Sequence, residues 1–361
     1  MINRNFILTG LLLISSIAAG GQSVSEKRTF TKSMPASKGT RLEVRNKYGD
    51  VQVTSWNRDS VYIMAEVEAF APNRSRLYKM FDGIRIDMEE AGPVLTAETR
   101  FDQSIAMLLE SFKDLTKNII DYNSKVKINY FINAPVFIDI KVDNQFGDVL
   151  MENNTGEVSV NLSNGSFKAN RLNTLRDLTM TFGKAEITAA SEAKMNVTFS
   201  EVIIDDVSGL DINSTSTKFN IKKAGKINVE SRRDKFFLGN AEELTGTSYF
   251  TDYKAEQLEK GADITVKYGS LDIFSVPARF EKIDIRSTYT DITIEFEPSA
   301  SYAFEIRHTN AFVAIPDRNS RSKKEEINSD RKEYLLTGTV GNNPGSRMVR
   351  IEATRGNIYL K

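Results

Sequence analysis

A short turn signature returns along this chain at a spacing that leaves few folds open to it. The signature is a triplet: often an aromatic residue, then Gly or another small residue, then a polar one. It is clear at Tyr48-Gly49-Asp50, Phe146-Gly147-Asp148, Asn164-Gly165-Ser166, Phe182-Gly183-Lys184 and Phe199-Ser200-Glu201. It degenerates around Thr217, Asp234 and Thr251, then returns at Tyr268-Gly269-Ser270 and Tyr289-Thr290-Asp291, with Asn310 and Gly356 closing the series. From Gly147 onward the middle residues are spaced by 18, 18, 17, 17, 17, 17, 18, 21, 20 and finally 46 positions.

The flanks of these turns carry a second regularity. Two and four residues after each middle position the chain has Val51/Val53, Val149/Met151, Phe167/Ala169, Ala185/Ile187, Val202/Ile204 and Phe219/Ile221. The pattern continues with Phe236/Leu238, Tyr253/Ala255, Leu271/Ile273, Ile292/Ile294, Phe312/Ala314 and Ile358/Leu360. Seven and five residues before it stand pairs such as Leu42/Val44, Ile140/Val142, Leu210/Ile212 and Ile283/Ile285. Period-two alternation on both sides of a turn predicts two short strands per repeat, each with one buried face. A repeat of 17–21 residues cannot bury that face alone and has no room for a helical crossover, so it must stack on copies of itself. The expectation is an all-β, single-stranded β-helix, or solenoid, right-handed, with its strands about 4.8 Å from the next rung.

Two stretches break the repeat. Residues 72–82 read as a short helix stopped by Gly83, and the apolar spacing through Ile105, Leu108, Phe112 and Ile119 predicts an amphipathic helix over 103–121. These short N-terminal helices are expected to cap the open end of the solenoid, with a partner-binding role for the 103–121 helix as the alternative. The charged segment from Asp317 to Lys332 is expected to be a solvated loop or a hairpin extension within the last rung. At the start, Arg4, an apolar run from Phe6 to Ala18 and the small residues Ala18-Ala19-Gly20-Gly21 read as a cleaved secretory signal. That run is too short to span a bilayer. The organisation is therefore a signal peptide (1–21), N-terminal strands and capping helices (22–135), and the main array (136–361) with an insertion around 317–333. The mature chain is expected outside the cytoplasm, in the periplasm, at the cell surface or secreted.

Composition narrows the function classes. Lysine plus arginine equals aspartate plus glutamate at 48 each, which argues against a nucleic-acid binder and against stable membrane insertion through a basic face. There is no cysteine, so disulfides, thiolate nucleophiles and cysteine metal sites are excluded. The single histidine, His308, cannot supply a zinc ligand set and is expected to be a surface residue near a turn. Asp205-Asp206 and Glu242-Glu243 are the carboxylate pairs that a polysaccharide-cutting β-helix enzyme would need. They are expected in solvated connectors between strands, and Glu89-Glu90 in a polar turn. The aromatic series Tyr48, Phe146, Phe182, Phe199, Phe250, Tyr268 and Tyr289 is expected to pack as a buried corner ladder, whereas an exposed one would suit sugar or peptide binding.

The segment Leu42-Glu43-Val44 through Tyr48-Gly49-Asp50-Val51, the Asn133-Ala134-Pro135 step, the repeated Phe/Tyr-Gly-Asp-Val turns and the closing Gly356-Asn357-Ile358 resemble the bacterial "putative adhesin" family of envelope proteins. The resemblance covers nearly all of the mature chain and rests on structural turns. It implies the solenoid and a role in adhesion, and it offers no catalytic residue to carry over. The expectation is a non-catalytic exported envelope protein presenting a surface for a protein or glycan partner. A structural or self-assembling component and a carbohydrate-active enzyme are the alternatives. No catalytic, cofactor or metal residue is nominated, and the structural turns are Gly49, Gly147, Gly165, Gly183, Gly269 and Gly356. Ligand identity and oligomeric state stay open.

Overall fold

The structure, a computed structural model, describes residues 24–103, 105, 125–317 and 319–361. The expected signal peptide and nearly all of the expected 103–121 helix lie outside the described residues. The chain forms two compact units that divide after Thr174. Strands dominate both, in mixed parallel and antiparallel pairing, which agrees with the all-β class.

The first unit holds β1 (Val24–Pro35), β2 (Arg41–Lys47), β3 (Val51–Trp56), β4 (Ser60–Ala71), α1 (Arg74–Asp82), β5 (Ile84–Ala91), β6 (Val94–Phe101), β7 (Lys125–Pro135), β8 (Asp139–Gln145), β9 (Val149–Met151) and β10 (Asn154–Ser163). β11 (Ser166–Thr181) begins in it. Here the parallel repeats are explicit: Leu42 lies beside Ile140 and Ile140 beside Val158, while Val51 lies beside Val149 and Val149 beside Phe167. On the other side of β2 and β3 lie β6 and β7, also parallel to them. The remaining pairs are antiparallel: β4 runs between β1 and β7, and β5 folds back on β6. Helix α1 is capped by Asn73, whose side chain accepts from the Arg76 N–H, and it buries Leu77, Met80 and Phe81. Glu89 and Glu90 sit at the exposed end of β5, so they belong to a strand rather than to the turn expected of them.

The second unit holds β12 (Lys184–Thr198), β13 (Glu201–Thr215), β14 (Lys218–Arg232), β15 (Lys235–Tyr249), β16 (Asp252–Val276), β17 (Lys282–Phe296), β18 (Tyr302–Ala314), β19 (Ser320–Asn328), β20 (Glu333–Val340) and β21 (Met348–Leu360). From β12 to β15 each strand pairs in parallel with the next at an offset of 17 residues, from Lys184 beside Glu201 to Arg232 beside Tyr249. Equivalent residues therefore stack in columns. Val202, Phe219, Phe236 and Tyr253 form one inward column, with near-parallel rings 4.6 Å apart between Phe219 and Phe236 and 4.8 Å between Phe236 and Tyr253. Such pairs are worth about 0.5–1.5 kcal/mol each beyond the burial itself.

Each repeat is one strand of 15 residues rather than the two short strands expected. The chain bends without leaving the ladder. In β13 the buried positions step from Val202 and Ile204 to Val207, then Leu210, Ile212 and Ser214. The two steps of three place a single residue in a corner, and the column there is Ala190, Val207, Ala224, Ala241 and Leu258. Mostly small side chains fit where the two faces converge.

The last repeats do not stack in chain order. β21 lies between β17 and β18, parallel to both, with Ile351 beside Ile285 on one side and Ile306 on the other. β20 then covers the far edge of β18 in antiparallel fashion, and β19 pairs with β20. The charged segment expected as a loop or hairpin is thus an antiparallel hairpin. Its outer strand, β19, is exposed along Arg321, Lys323, Lys324, Glu325 and Glu326. In this last repeat the register also corrects the reading of Phe312. Ala311 lies beside Gly356, so the triplet starts at Asn310, and Phe312 is exposed instead of buried.

Candidate functional site

Every turn of the repeat is built on a backbone conformation that side chains avoid. The first residue of each triplet has positive φ: Tyr48 (66°), Phe146 (58°), Asn164 (57°), Phe182 (55°), Phe199 (50°), Ser216 (54°), Arg233 (60°), Phe250 (56°), Tyr268 (59°), Tyr289 (51°), Asn310 (51°) and Arg355 (59°). The left-handed region costs a non-glycine residue roughly 1–2 kcal/mol. The strain falls on the first residue of the triplet, and the glycine behind it serves a different need. A Cβ at Gly147 would overlap the carbonyl oxygen of Gly49 in the neighbouring turn, and one at Gly269 would overlap that of Thr251. Gly49, Gly165 and Gly356 approach a neighbouring carbonyl in the same way, and the Gly183 N–H donates to the Ser200 hydroxyl at 3.1 Å.

At four turns the middle residue is Thr217, Asp234, Thr251 or Thr290, and its side chain is buried and hydrogen-bonded. Asp234 is 1% exposed and accepts from the Ser214 hydroxyl at 2.6 Å, the Thr217 N–H at 2.6 Å and the Arg232 N–H at 3.2 Å. Burial pushes its carboxyl above the usual aspartate value, and these three donors oppose the shift. Thr251 meets the Ser231 hydroxyl at 3.0 Å, and Thr290 donates to the carbonyls of Val266 and Thr288. Beside them the Tyr253 phenol is pushed up to about 12 by burial. In the first unit the same corner holds Asn46 and Asn144, whose amides donate to turn carbonyls on their own and a neighbouring repeat.

The first residues of the turns point outward, and in the second unit they form exposed ladders. This reverses the expectation of buried corner packing. Phe182, Phe199, Phe250, Tyr268 and Tyr289 are 45–58% exposed. Phe182 stacks on Phe199 at 5.2 Å, Phe250 on Tyr268 at 5.0 Å and Tyr268 on Tyr289 at 5.4 Å, with ring planes within 14° of parallel. The Arg355 guanidinium lies over the outer face of Tyr289 at 4.8 Å. Stacking between repeats offsets part of the left-handed strain, and it covers both faces of Tyr268 and Tyr289 and one face each of Phe182, Phe199 and Phe250. Beside this column runs a second, Arg232, Tyr249 and Lys267, in which Lys267 lies over Tyr249 at 5.4 Å. In the first unit Tyr48 stacks on Phe146 at 5.5 Å with Phe101 edge-on, and this pair is only half-exposed.

The second unit also carries a groove of about 900 Å³ along the corner of the repeats. Small residues form its floor, among them Ser208, Gly209, Ala224 and Gly225. Of the carboxylate pairs Asp205-Asp206 and Glu242-Glu243, three members, Asp206, Glu242 and Glu243, line it. They lie within β13 and β15, which contradicts the expected connectors. Each is matched to a lysine: Asp206 to Lys223 at 3.6 Å, Glu242 to Lys260 at 2.7 Å and Glu243 to Lys226 at 3.3 Å. Asp205 pairs outside the groove with Lys222 at 2.6 Å. The Lys260 hydrogen bond and charge hold Glu242 below the usual carboxylate range, so it is ionised at neutral pH. Exposed pairs of this kind contribute about 0–1 kcal/mol each.

His308 is buried in β18, where its ring stacks on Tyr334 of β20 at 5.5 Å, so the expected surface location is wrong. It occupies the inward column three residues before the turn, which Ser214, Ser231 and Ser248 fill elsewhere. Burial, and next the charge of Lys324, push its imidazole below the ordinary value, opposed more weakly by a hydrogen bond to the Ala311 backbone. Among the described residues no group of three metal-ligating side chains occurs, and no helix is long and apolar enough to cross a membrane.

No protein-family model matches the chain, and no curated protein matches it. Several solved structures do. One is a "putative cell adhesion protein" from Clostridium sporogenes, at 12% identity and TM-score 0.21, covering 93% of this chain and 100% of that one. A "putative adhesin" from Parabacteroides merdae gives 10% identity and TM-score 0.32 over 72% of this chain and 95% of that one. A "putative lipid binding protein" from Parabacteroides distasonis gives 12% identity and TM-score 0.31 over 91% and 96%. Likeness at this level does not carry a ligand or a role from those proteins to this one.

Proposed function

We propose that this chain is a non-catalytic binding protein of the cell envelope, a β-solenoid whose exposed turn column in the second unit is its recognition surface. The observation that carries the reading is the ladder of Phe250, Tyr268 and Tyr289, three adjacent aromatic side chains about half exposed on turns where serine or asparagine is also accommodated. Ser216 and Asn310 occupy the same left-handed position, so the geometry does not require a ring. Leaving large apolar edges in water has a cost that burial against a partner would remove. The apolar leader of residues 6–18 supports export, and the in-register 17-residue offsets support the solenoid.

Two observations weigh against the other readings. An enzyme cutting glycosides needs a carboxyl that is protonated near neutral pH. The groove carboxylates Asp206, Glu242 and Glu243 face lysines instead, and Asp234, whose carboxyl is raised, is buried among its own donors. End-to-end assembly needs an open strand edge, and at the β18 end the hairpin covers it with the charged strand β19.

The test is a triple variant, Phe250→Ser, Tyr268→Ser and Tyr289→Ser, read on immobilised panels of glycans and proteins. The expected result is binding by the wild-type chain that the variant loses while its far-ultraviolet circular dichroism is kept. Undiminished binding by the folded variant, or no binding by the wild type across the panels, would contradict the reading.

A further inference from the structure

The chemistry of the turn column narrows what it can hold. In the stacking direction its first-position residues are Arg233, Phe250, Tyr268, Tyr289 and Arg355, so three rings are bracketed by two guanidinium groups. The adjoining column adds Arg232 and Lys267 around Tyr249, and Lys235 follows the Asp234 turn. Arg232, Arg233 and Lys235 are exposed and make no ion pair among the described residues. This distinguishes them from the groove, where Lys223, Lys226, Lys260 and Arg279 all face carboxylates. Acidic side chains on these turns are engaged: Asp234 is buried among its donors, Asp252 accepts from the Ser270 hydroxyl and Asp291 from the Asn357 amide.

The rings reinforce the positive character. An aromatic ring is electronegative on its faces and electropositive on its edges. Stacking hides both faces of Tyr268 and Tyr289 and one face of Phe250, which leaves mainly edges outward. An anion beside this ladder meets ring edges and unpaired cations together. Four steps separate Arg233 from Arg355, at about 4.8 Å each, so the surface runs on the order of 19 Å along the stack.

Resting on the binding role argued above, we propose that the column binds a linear acidic polysaccharide, a chain of sugar rings bearing carboxylate or sulfate groups, laid along the stacking direction. Such a ligand offers an anion at intervals commensurate with the rungs, to be met by the cations and by the electropositive ring edges. Single-stranded nucleic acid is disfavoured, because it binds by laying successive bases on open aromatic faces, and both faces of Tyr268 and Tyr289 are occupied. An apolar ligand would leave Arg232, Arg233 and Lys235 without partners.

The test uses the purified full chain on immobilised heparin (sulfated) and polygalacturonate (carboxylated), with dextran as the neutral polymer and single-stranded DNA as the competing polyanion. The charge variant is Arg232→Thr with Arg233→Ser; each new residue occurs naturally in the same column, at Thr288 and Ser216. The wild type is expected on one or both acidic polysaccharides and not on dextran, eluting as salt screens the charges. The variant should bind about tenfold more weakly, with an unchanged melting temperature. Equal retention of variant and wild type, no retention on either acidic polysaccharide, or tighter binding to DNA would overturn the proposal. If acidic polysaccharides fail while the triple serine variant still loses a partner on the panels, the binding role stands and only this ligand class falls.

Discussion

At the scale of single residues, the repeated turn separates two demands that the sequence writes into adjacent positions. The left-handed conformation falls on Tyr268, and the close approach to the neighbouring turn falls on Gly269, whose φ is not positive. Gly269→Ala should therefore destabilise through overpacking against the Thr251 carbonyl, by about 1–3 kcal/mol. Tyr268→Ser should leave the turn intact at a smaller loss. Chemical denaturation of the two variants compares them directly, and a neutral Gly269→Ala would show that the turns can spread apart. His308 supplies a second residue-scale prediction. Its folded-state value is depressed, so the neutral ring's contribution is complete above the ordinary imidazole value of about 6.5. It is lost as pH falls through that value and on toward the folded-state value, because the unfolded chain takes up the proton first. Melting temperature should drop between about pH 7.5 and pH 5.5, and His308→Phe, which keeps a ring against Tyr334, should flatten part of that drop. Identical pH profiles for the two chains would remove His308 from the explanation.

At the scale of elements, the columns two and four residues after each turn were legible in the sequence because alternation is a direct image of a pleated strand. The corner column was not. Ala190, Ala224 and Ala241 are weakly apolar, and they sit at steps of three that match neither strand nor helix periodicity. The place of β21 was hidden for another reason. β18 and β21 carry the same inward pattern, and only pairing across 66 residues, as between Asp291 and Asn357, decides which one lies next to β17. Repeat architecture makes an element-scale prediction. Removing Glu201–Thr217 joins Ser200 to Lys218 and deletes one full repeat, so the neighbouring columns re-form and the unit stays folded. Removing only Glu201–Ser208 puts inward residues out of register and should cost several kcal/mol of buried apolar contact. Thermal melts of both deletions decide it, and equal stability would refute the 17-residue repeat.

At the scale of the whole molecule, the part of the candidate site that could be read in advance was its composition, and the part that could not was its direction. An aromatic series at regular spacing reads as core, because large rings are usually buried. The left-handed backbone at those positions turns the side chains out, and nothing in the identity of Phe250 or Tyr289 announces that conformation. The carboxylates of the groove show the converse: Glu242 and Glu243 are conspicuous in the sequence, yet the fold sets a lysine against each of them. The most direct measurement of the central claim sets these two surfaces against each other. Binding of the full chain to its strongest partner on the glycan and protein panels should be compared with that of the Phe250→Ser, Tyr268→Ser, Tyr289→Ser variant. A groove variant completes the set: Glu192→Gln with Asp211→Asn, at two further carboxylates that line the groove. The account predicts that the turn variant loses binding by about tenfold or more while the groove variant matches the wild type. Loss in the groove variant with full binding by the folded turn variant would contradict it.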